Sequence, residues 1–370
     1  MSEEGAKHRD EYRYRCAPCN IDFCVGCNIT PYHYNFNCAD YKQYLEAKKC
    51  RFCKESLHGV TLNSDVAPGH VNVCQSPECQ EKMSLSCGKV LPCGHNCLGV
   101  HGERTCPPCF KQKCHPKKIK VPSSNDYCNI CYVEDLSCAP CLLLECGHAF
   151  HSQCIKSRLQ PKQSGPRLSF KHLDCPLCNR QMKHVQLKEL TAESIRLRDI
   201  VQAKASQRLI FEGLNKTKEL ECKSSKWYRN PEGYAMHHYS YYMCFKCRNP
   251  YFAGQVRCEQ DQAYDDFNPE ELICGSCKGE NFQQCNIHGW DFMEFKCHFC
   301  CSIAQWYCWG KVHFCDDCHT KQQKGDYLTK KPKNMIPECP GIEKCPLKIA
   351  HPHCEEFILG CTICKNIKDF

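Results

Sequence analysis

Cys308 and His319 stand eleven residues apart in 306-WYCWGKVHFCDDCH-319, and the thiol lies between Tyr307 and Trp309, outside the two-residue spacing of Cys315 and Cys318. A thiolate held near a histidine is a nucleophile with a base at hand; a buried free cysteine is the alternative reading. Cys258 poses the same choice in another setting. It follows Arg257 and precedes 259-EQDQAYDDFNPEE-271, which is too polar to pack as core, so it reads as a thiol on a loop. Most other cysteines follow a different pattern: C-x2-C pairs interleaved with histidines, the donor set of tetrahedral zinc.

The elements that hold these groups must be built with little apolar core. The 370 residues include 41 cysteines and 19 histidines, mean hydropathy is −0.57 and apolar runs are short. Metal must replace much of the hydrophobic core, which predicts small, irregular α+β zinc modules in series. The charged start MSEEGAKHRDEYRYR has no apolar signal region, and no run approaches a membrane span of about eighteen residues. The expectation is therefore a soluble protein of the cytoplasm, with the nucleus also open, where reduced thiols bind zinc in preference to forming disulfides. The net charge is +8, and the basic clusters 116-PKKIK-120 and 329-TKKPK-333 read as solvated surface. Neither a DNA-reading finger pattern nor a concentrated basic and aromatic stripe argues for nucleic acid.

Residues 1–60 supply Cys16, Cys19, Cys24, Cys27, His33, Cys38, Cys50 and Cys53. The simplest pairing is Cys24/Cys27/His33/Cys38 and Cys16/Cys19/Cys50/Cys53, and the first six ligands resemble half of an in-between-RING module. Residues 61–120 carry Cys74, Cys79 and 87-CGKVLPCGHNCLGVHGERTCPPC-109, which resembles the zinc repeat of X-box-binding repressors. Its candidate ligands are Cys87, Cys93, Cys97, His101, Cys106 and Cys109, with the pairing open.

In 121–185 the spacing is specific: Cys128, Cys131, His151 and Cys154 alternate with Cys146, His148, Cys175 and Cys178, the cross-brace of a RING finger. RING fingers bind ubiquitin-conjugating enzymes, and the family's contact positions match Ile130 and Pro176. Where many RINGs place an activating Arg or Lys after the last ligand, this chain has Asn179, followed by Arg180. Cys138 and Cys141 read as unpaired loop thiols. A helix is predicted from Thr191 to Gly213, with Leu197, Val201, Ala205 and Leu209 along one face. Within 186–226 it would act as a semi-rigid spacer.

Residues 227–370 supply sixteen ligands for four zinc sites: Cys244, Cys247, Cys274, Cys277, Cys285, His288, Cys297, Cys300, His313, Cys315, Cys318, Cys339, Cys345, His351, Cys361 and Cys364. Cys301 and Cys354 are extras that could substitute for one of them, and Cys258 and Cys308 are left over. The whole chain would bind roughly eight to nine zinc ions.

From Asn125 to Phe370 the chain resembles the C-terminal catalytic region of the Highwire/Pam family of RING-Cys-relay ubiquitin ligases. The matching segments are 126-DYCNICYVE-134, 231-PEGYAMHHYSYYMCFKC-247, 270-EELICGSC-277, 297-CHFCCS-302, 313-HFCDDCH-319 and 357-FILGC-361. The resemblance implies a tandem-cysteine catalytic domain over 227–370. Ubiquitin would pass from a charged conjugating enzyme to Cys258 and then to Cys308. From there it would go to a Thr or Ser hydroxyl of a protein substrate, with His319 as base and Glu271 as acid partner. Trp309 replaces the family's usual phenylalanine. Two other readings remain. In one, a scaffold-type RING ligase delivers ubiquitin directly to lysine; in the other, a zinc-rich nucleic-acid-binding or adaptor protein uses its RING only for contacts.

Overall fold

Six of the C-x2-C pairs are followed by a tight reversal of the chain after the second cysteine, a local device that recurs along this molecule. Asn20, Asn28, Lys54, Tyr132, Asn179 and Arg248, each one residue past a pair, take φ between 54° and 63°. Their amides donate to the carbonyl of the first cysteine over 2.8–3.2 Å. Asn tolerates this left-handed conformation better than most residues because its short side chain hydrogen-bonds locally. Asn179 therefore suits the conformation its position imposes.

The computed structural model describes residues 3–57, 66–114, 121–160, 165–256, 268–278 and 284–368. The fold is a series of small, irregular mixed α/β modules rich in cysteine and histidine clusters. Its described strands form five two-stranded antiparallel sheets. Among the described residues no helix is long and apolar enough to cross a membrane. Two compact units emerge, Met1–Gln160 with Asp174–Lys188, and Pro161–Leu173 with Glu189–Phe370.

In the first unit α1 (Glu3–Tyr12) leads into the ladder of β1 (Arg13–Arg15) and β2 (Asp22–Cys24), followed by α2 (Cys38–Glu46) and α3 (Pro77–Leu85). A small core of Cys50, Phe52, Leu57, Val73 and Cys79 closes the next module. The RING contributes β3 (Cys141–Leu143), β4 (Ala149–His151) and α4 (Ser152–Leu159).

In the second unit α5 spans Lys188–Phe211 and stops at Gly213, whose φ of 70° ends the helix. It begins three residues before Thr191, which is buried in the helix instead of capping it; His184 accepts the Gln186 amide in the preceding turn. The predicted apolar face is present, but the helix is not a free-standing spacer. Val201, Ala205 and Leu209, with Leu197, pack on Leu220, Ala235, Tyr239 and Tyr241. Those partners come from α6 (Lys218–Glu221), α7 (Pro231–His238) and β5 (Tyr239–Met243). Leu168 also joins this unit, donating its amide to Tyr241 O over 2.9 Å.

β5 pairs with β6 (Pro250–Gln255). The short α8 (Gly275–Lys278) follows, then β7 (Met293–Phe295), the hairpin of β8 (Trp306–Cys308) and β9 (Val312–Phe314), and α9 (Asp316–Lys321). β10 (Ile358–Cys361) pairs with β7 and leads into α10 (Thr362–Lys368). The β8–β9 turn has Trp309 and Gly310 at φ 56° and 64°, with the Lys311 amide on Cys308 O at 3.1 Å, the pattern of a type I′ turn. A bulky residue in that region costs about 1–2 kcal/mol.

β6 lies directly against β8. A Cβ on Gly254, at φ 121°, would stand 1.9 Å from Tyr307 O and 3.5 Å from the Cys308 Cα, so only glycine permits this approach. Gly254→Ala should therefore lower the thermal midpoint well beyond Gly341→Ala. The latter also has positive φ but nothing within 4 Å of its Cβ, and pays only the conformational cost of about 1–2 kcal/mol. Calorimetry of the two variants checks this, with equal midpoints as the contrary result.

Candidate functional site

Five groups whose donor atoms all lie within 4.8 Å of one another are His8/Cys24/His33/Cys38, Cys50/Cys53/Cys74/Cys79, Cys93/His95/Cys109/Cys114, Cys128/Cys131/His151/Cys154 and Cys146/His148/Cys175/Cys178; five more exist. Thiolate and imidazole donors in fours fit tetrahedral zinc. The second nitrogens of several ligand histidines are tied to backbone carbonyls: His33 to Phe36 at 3.1 Å, His151 to Asp135 at 2.9 Å and His351 to Pro352 at 3.2 Å. Such bonds fix the ring so that its free nitrogen faces the metal.

The RING residues gather in the two sets read from the spacing. Ile130 and Pro176 are half-buried between ligands, flanked by exposed Tyr132, Val133 and Leu177. Arg180 is exposed, and its guanidinium donates to Cys146 O over 3.0 Å. Cys141 is buried and donates to Leu136 O, and Cys138 donates to the Asp135 carboxylate.

Upstream of the RING the pairing differs from the simplest expectation. Cys50 and Cys53 meet Cys74 and Cys79, not Cys16 and Cys19, because the chain returns beside its own knuckle and the Cys74 amide donates to Cys50 Sγ. Cys27 lies 3.2 Å from His33 Nε2, and His8 reaches Cys38 Sγ at 3.1 Å, so five donors gather there. His8 carried no spacing signal because it sits on α1. In the middle repeat Cys87, Cys97 and Cys106 cluster, whereas Cys93 and Cys109 are completed by His95 and Cys114. Gly94, at φ 79°, makes the turn that brings Cys93 and His95 together. His101 is exposed.

In the second unit Cys244, Cys247, Cys274 and Cys277 converge, as do Cys285, His288, Cys361 and Cys364. Cys297, Cys300, Cys315 and Cys318 form a third set. The fourth corrects the sequence reading: Cys339, Cys345 and His351 are joined by Cys301, not by His313. Strand alternation explains why. Successive side chains of β8 and β9 point to opposite faces, so Tyr307 and His313 share one face while Trp306, Cys308, Val312 and Phe314 share the other. His313 lies between the rings of Phe295 and Tyr307, with centroids at 3.8 and 4.1 Å, and its Nδ1 meets Glu356. Burial alone would raise the Glu356 carboxyl, yet hydrogen bonds from His298 and His313 hold it down at about 2.

The face bearing Cys308 also bears His319. The His319 ring stacks on Trp306 at 4.5 Å and 9° and meets Phe314 at 5.9 Å, while the Trp306 indole donates to Asp316. Cys308 is fully buried in a cluster with Phe314, Cys315, Cys318 and Leu328, against half-buried Trp309. Glu271 lies in the segment Pro269–Glu271, before Cys274. It is exposed and pairs with Lys311, in the turn after Cys308, at 2.5 Å, and that ammonium holds its carboxyl below the usual range. Cys258 lies outside the described residues, between Val256 and Asn268.

The chain is 40% identical over 332 residues to the protein named E3 ubiquitin-protein ligase MYCBP2 of Danio rerio, a match covering 87% of this chain. It is also 40% identical over 342 residues to the one named E3 ubiquitin-protein ligase highwire of Drosophila melanogaster, again over 87% of this chain. The chain belongs to the Highwire/Pam family. It spans only 7% and 6% of the lengths of these curated relatives. A protein of Arabidopsis thaliana named probable E3 ubiquitin-protein ligase RHG1A is 35% identical over 85 residues, 23% of this chain and 11% of its own length. No protein-family model matches.

Within this Highwire/Pam chain, the exchange of His313 for Cys301 gives a direct check. Cys301→Ser should lower the zinc content by one ion per chain, and His313→Ala should leave it unchanged; elemental analysis of both purified variants decides between the two ligand sets.

Proposed function

We propose that this chain is the catalytic part of an E3 ubiquitin ligase that takes ubiquitin from a conjugating enzyme and carries it on its own cysteines. The names of the relatives support the ligase activity. What supports the relay is the anchoring of the segment that bears Cys258. Its upstream end leaves β6, whose Gly254 abuts Tyr307 and whose Ala253 carbonyl accepts the Gly310 amide. Its downstream end reaches Glu271, which pairs with Lys311. Both ends are thus tied to the hairpin that carries Cys308.

In this mechanism the charged conjugating enzyme docks on the RING at Ile130 and Pro176. The Cys258 thiolate attacks the thioester carbonyl, and the enzyme's cysteine leaves as thiolate. Cys308 repeats the exchange and releases Cys258. The two exchanges are nearly isoergic, so proximity and deprotonated sulfur suffice. A Thr or Ser hydroxyl is a poorer nucleophile. His319 removes its proton as it attacks, and the Cys308 thiolate departs. The stacking of His319 between Trp306 and Phe314 orients the base, and Glu271 holds the turn that covers Cys308. Loading requires the turn at Trp309 and Gly310 to open, which the left-handed Trp309 favours by raising the energy of the closed form. The chemistry also needs a reducing compartment, the cytoplasm or nucleus.

The full burial of Cys308 is the one observation that favours the scaffold-type reading, with direct transfer to lysine. Fluorescent ubiquitin on reducing and non-reducing gels separates the two. Cys308→Ser should trap ubiquitin as an adduct stable to thiol reductant and labile to base, and Cys258→Ala should abolish that trapping. Discharge to free threonine or lysine as fast as wild type in both Cys258→Ala and Cys308→Ala would establish the scaffold mechanism instead.

A further inference from the structure

The modules ahead of the RING have no part in the relay, yet several of their groups reach into one loop of the RING. Lys82, on α3, donates to both carboxylate oxygens of Glu134 at 3.0 Å. Lys54, one residue past the Cys50/Cys53 knuckle, donates to Ser137 Oγ at 2.7 Å. The backbone joins as well: the Cys141 amide donates to Leu98 O at 2.7 Å and the Ser124 amide to Phe110 O at 2.8 Å. At the far side of the RING, His184 pairs with Glu103 at 3.0 Å, with side chains only 15% and 9% exposed.

The supporting modules are themselves linked. Arg51, inside the knuckle, is buried and donates to Gly69 O at 2.9 Å, to Cys87 O at 3.3 Å and to Cys97 O. A buried guanidinium that serves three carbonyls joins the Cys50/Cys53/Cys74/Cys79 set to the Cys87/Cys97/Cys106 set.

The loop these contacts hold, 134–141, is not a passive part of the RING. Its Asp135 carbonyl accepts the Nε2 hydrogen of His151 at 2.9 Å and so orients a ligand of the Cys128/Cys131/His151/Cys154 set. The Asp135 carboxylate meanwhile caps the Ser137 amide at 2.9 Å. Immediately before Glu134 stand Ile130, Tyr132 and Val133, the last two 69% and 74% exposed. An element that fixes Glu134, Asp135 and Ser137 therefore fixes the apolar surface beside them.

We infer that residues 50–114 are a positioning element for the RING's conjugating-enzyme platform, acting through loop 134–141, with Lys82 and Lys54 as its positioning residues. This rests on the reading above that the RING receives a charged conjugating enzyme. It assigns to the upstream zinc modules a part in capturing that partner rather than in chemistry.

The test uses the full chain, with ubiquitin discharge measured against the concentration of charged conjugating enzyme. Lys82→Glu should raise the half-saturating concentration about threefold, with maximal rate, zinc content and thermal midpoint unchanged. It should also speed hydrogen exchange of the 134–141 amides. The reciprocal variant Lys82→Glu with Glu134→Lys should bring both readouts back to wild type. Unchanged half-saturation and exchange in Lys82→Glu, or no recovery in the reciprocal variant, would overturn the inference. Ile130→Ala separates the two levels: if it raises half-saturation while Lys82→Glu does not, only the positioning role fails. If Ile130→Ala changes nothing, the RING reading fails and the inference falls with it.

Discussion

The clusters of cysteine and histidine side chains are the constraint on which the rest of this structure depends. Outside the core around α5, apolar clusters among the described residues are small or include the ligand-type cysteines themselves, as with Cys50, Phe52, Leu57, Val73 and Cys79. The described strands pair in twos, and an isolated two-stranded ladder is marginal in water. Metal binding supplies folding energy where area cannot. A site that binds residues such as Cys285 and Cys364 also ties distant segments of chain together at one point. The left-handed residue that follows six of the C-x2-C pairs is the local form of this arrangement.

The same constraint sets Cys308, the thiol proposed for the relay, apart from the cysteines that gather in donor groups. Cys308 lies within one short hairpin of Cys315 and Cys318, yet strand register gives it a face shared with Trp306 and Phe314 instead of with metal. His319 lies against that face, one residue after the ligand Cys318. The helical turn starting at Cys315 fixes its backbone through the bond from its amide to Cys315 O, and the aromatic rings fix its plane. The neighbouring donor groups, Cys315 and Cys318 among them, hold this buried thiol and imidazole on one face of the hairpin.

Local spacing made the RING legible in the sequence, because its ligands come in pairs whose partners follow a fixed alternation. The helix face of Val201, Ala205 and Leu209 was legible for a similar reason, as a period of about four residues. What the helix packs on was not, because Tyr239 and Tyr241 lie some thirty residues onward in a strand. His313 looked like a ligand because it precedes a C-x2-C pair. Its exclusion depends on Glu356, forty-three residues away, and on strand alternation that spacing alone does not show. Cys53 finds Cys74 across a connection whose course no local pattern specifies. Glu271 was identified by its place in EELIC, but its charge is set by Lys311, forty residues on.

One ion in each donor group would hold this fold, while the thiols proposed for the relay stay outside those groups. Native mass spectrometry of the full zinc-loaded chain tests it most directly. Five named donor groups and five more among the described residues raise the eight to nine ions expected from the sequence to about ten zinc ions, lost together with compactness on strong chelation. A chain carrying eight ions or fewer, or one that keeps a narrow, compact charge-state distribution after complete zinc removal, would contradict it.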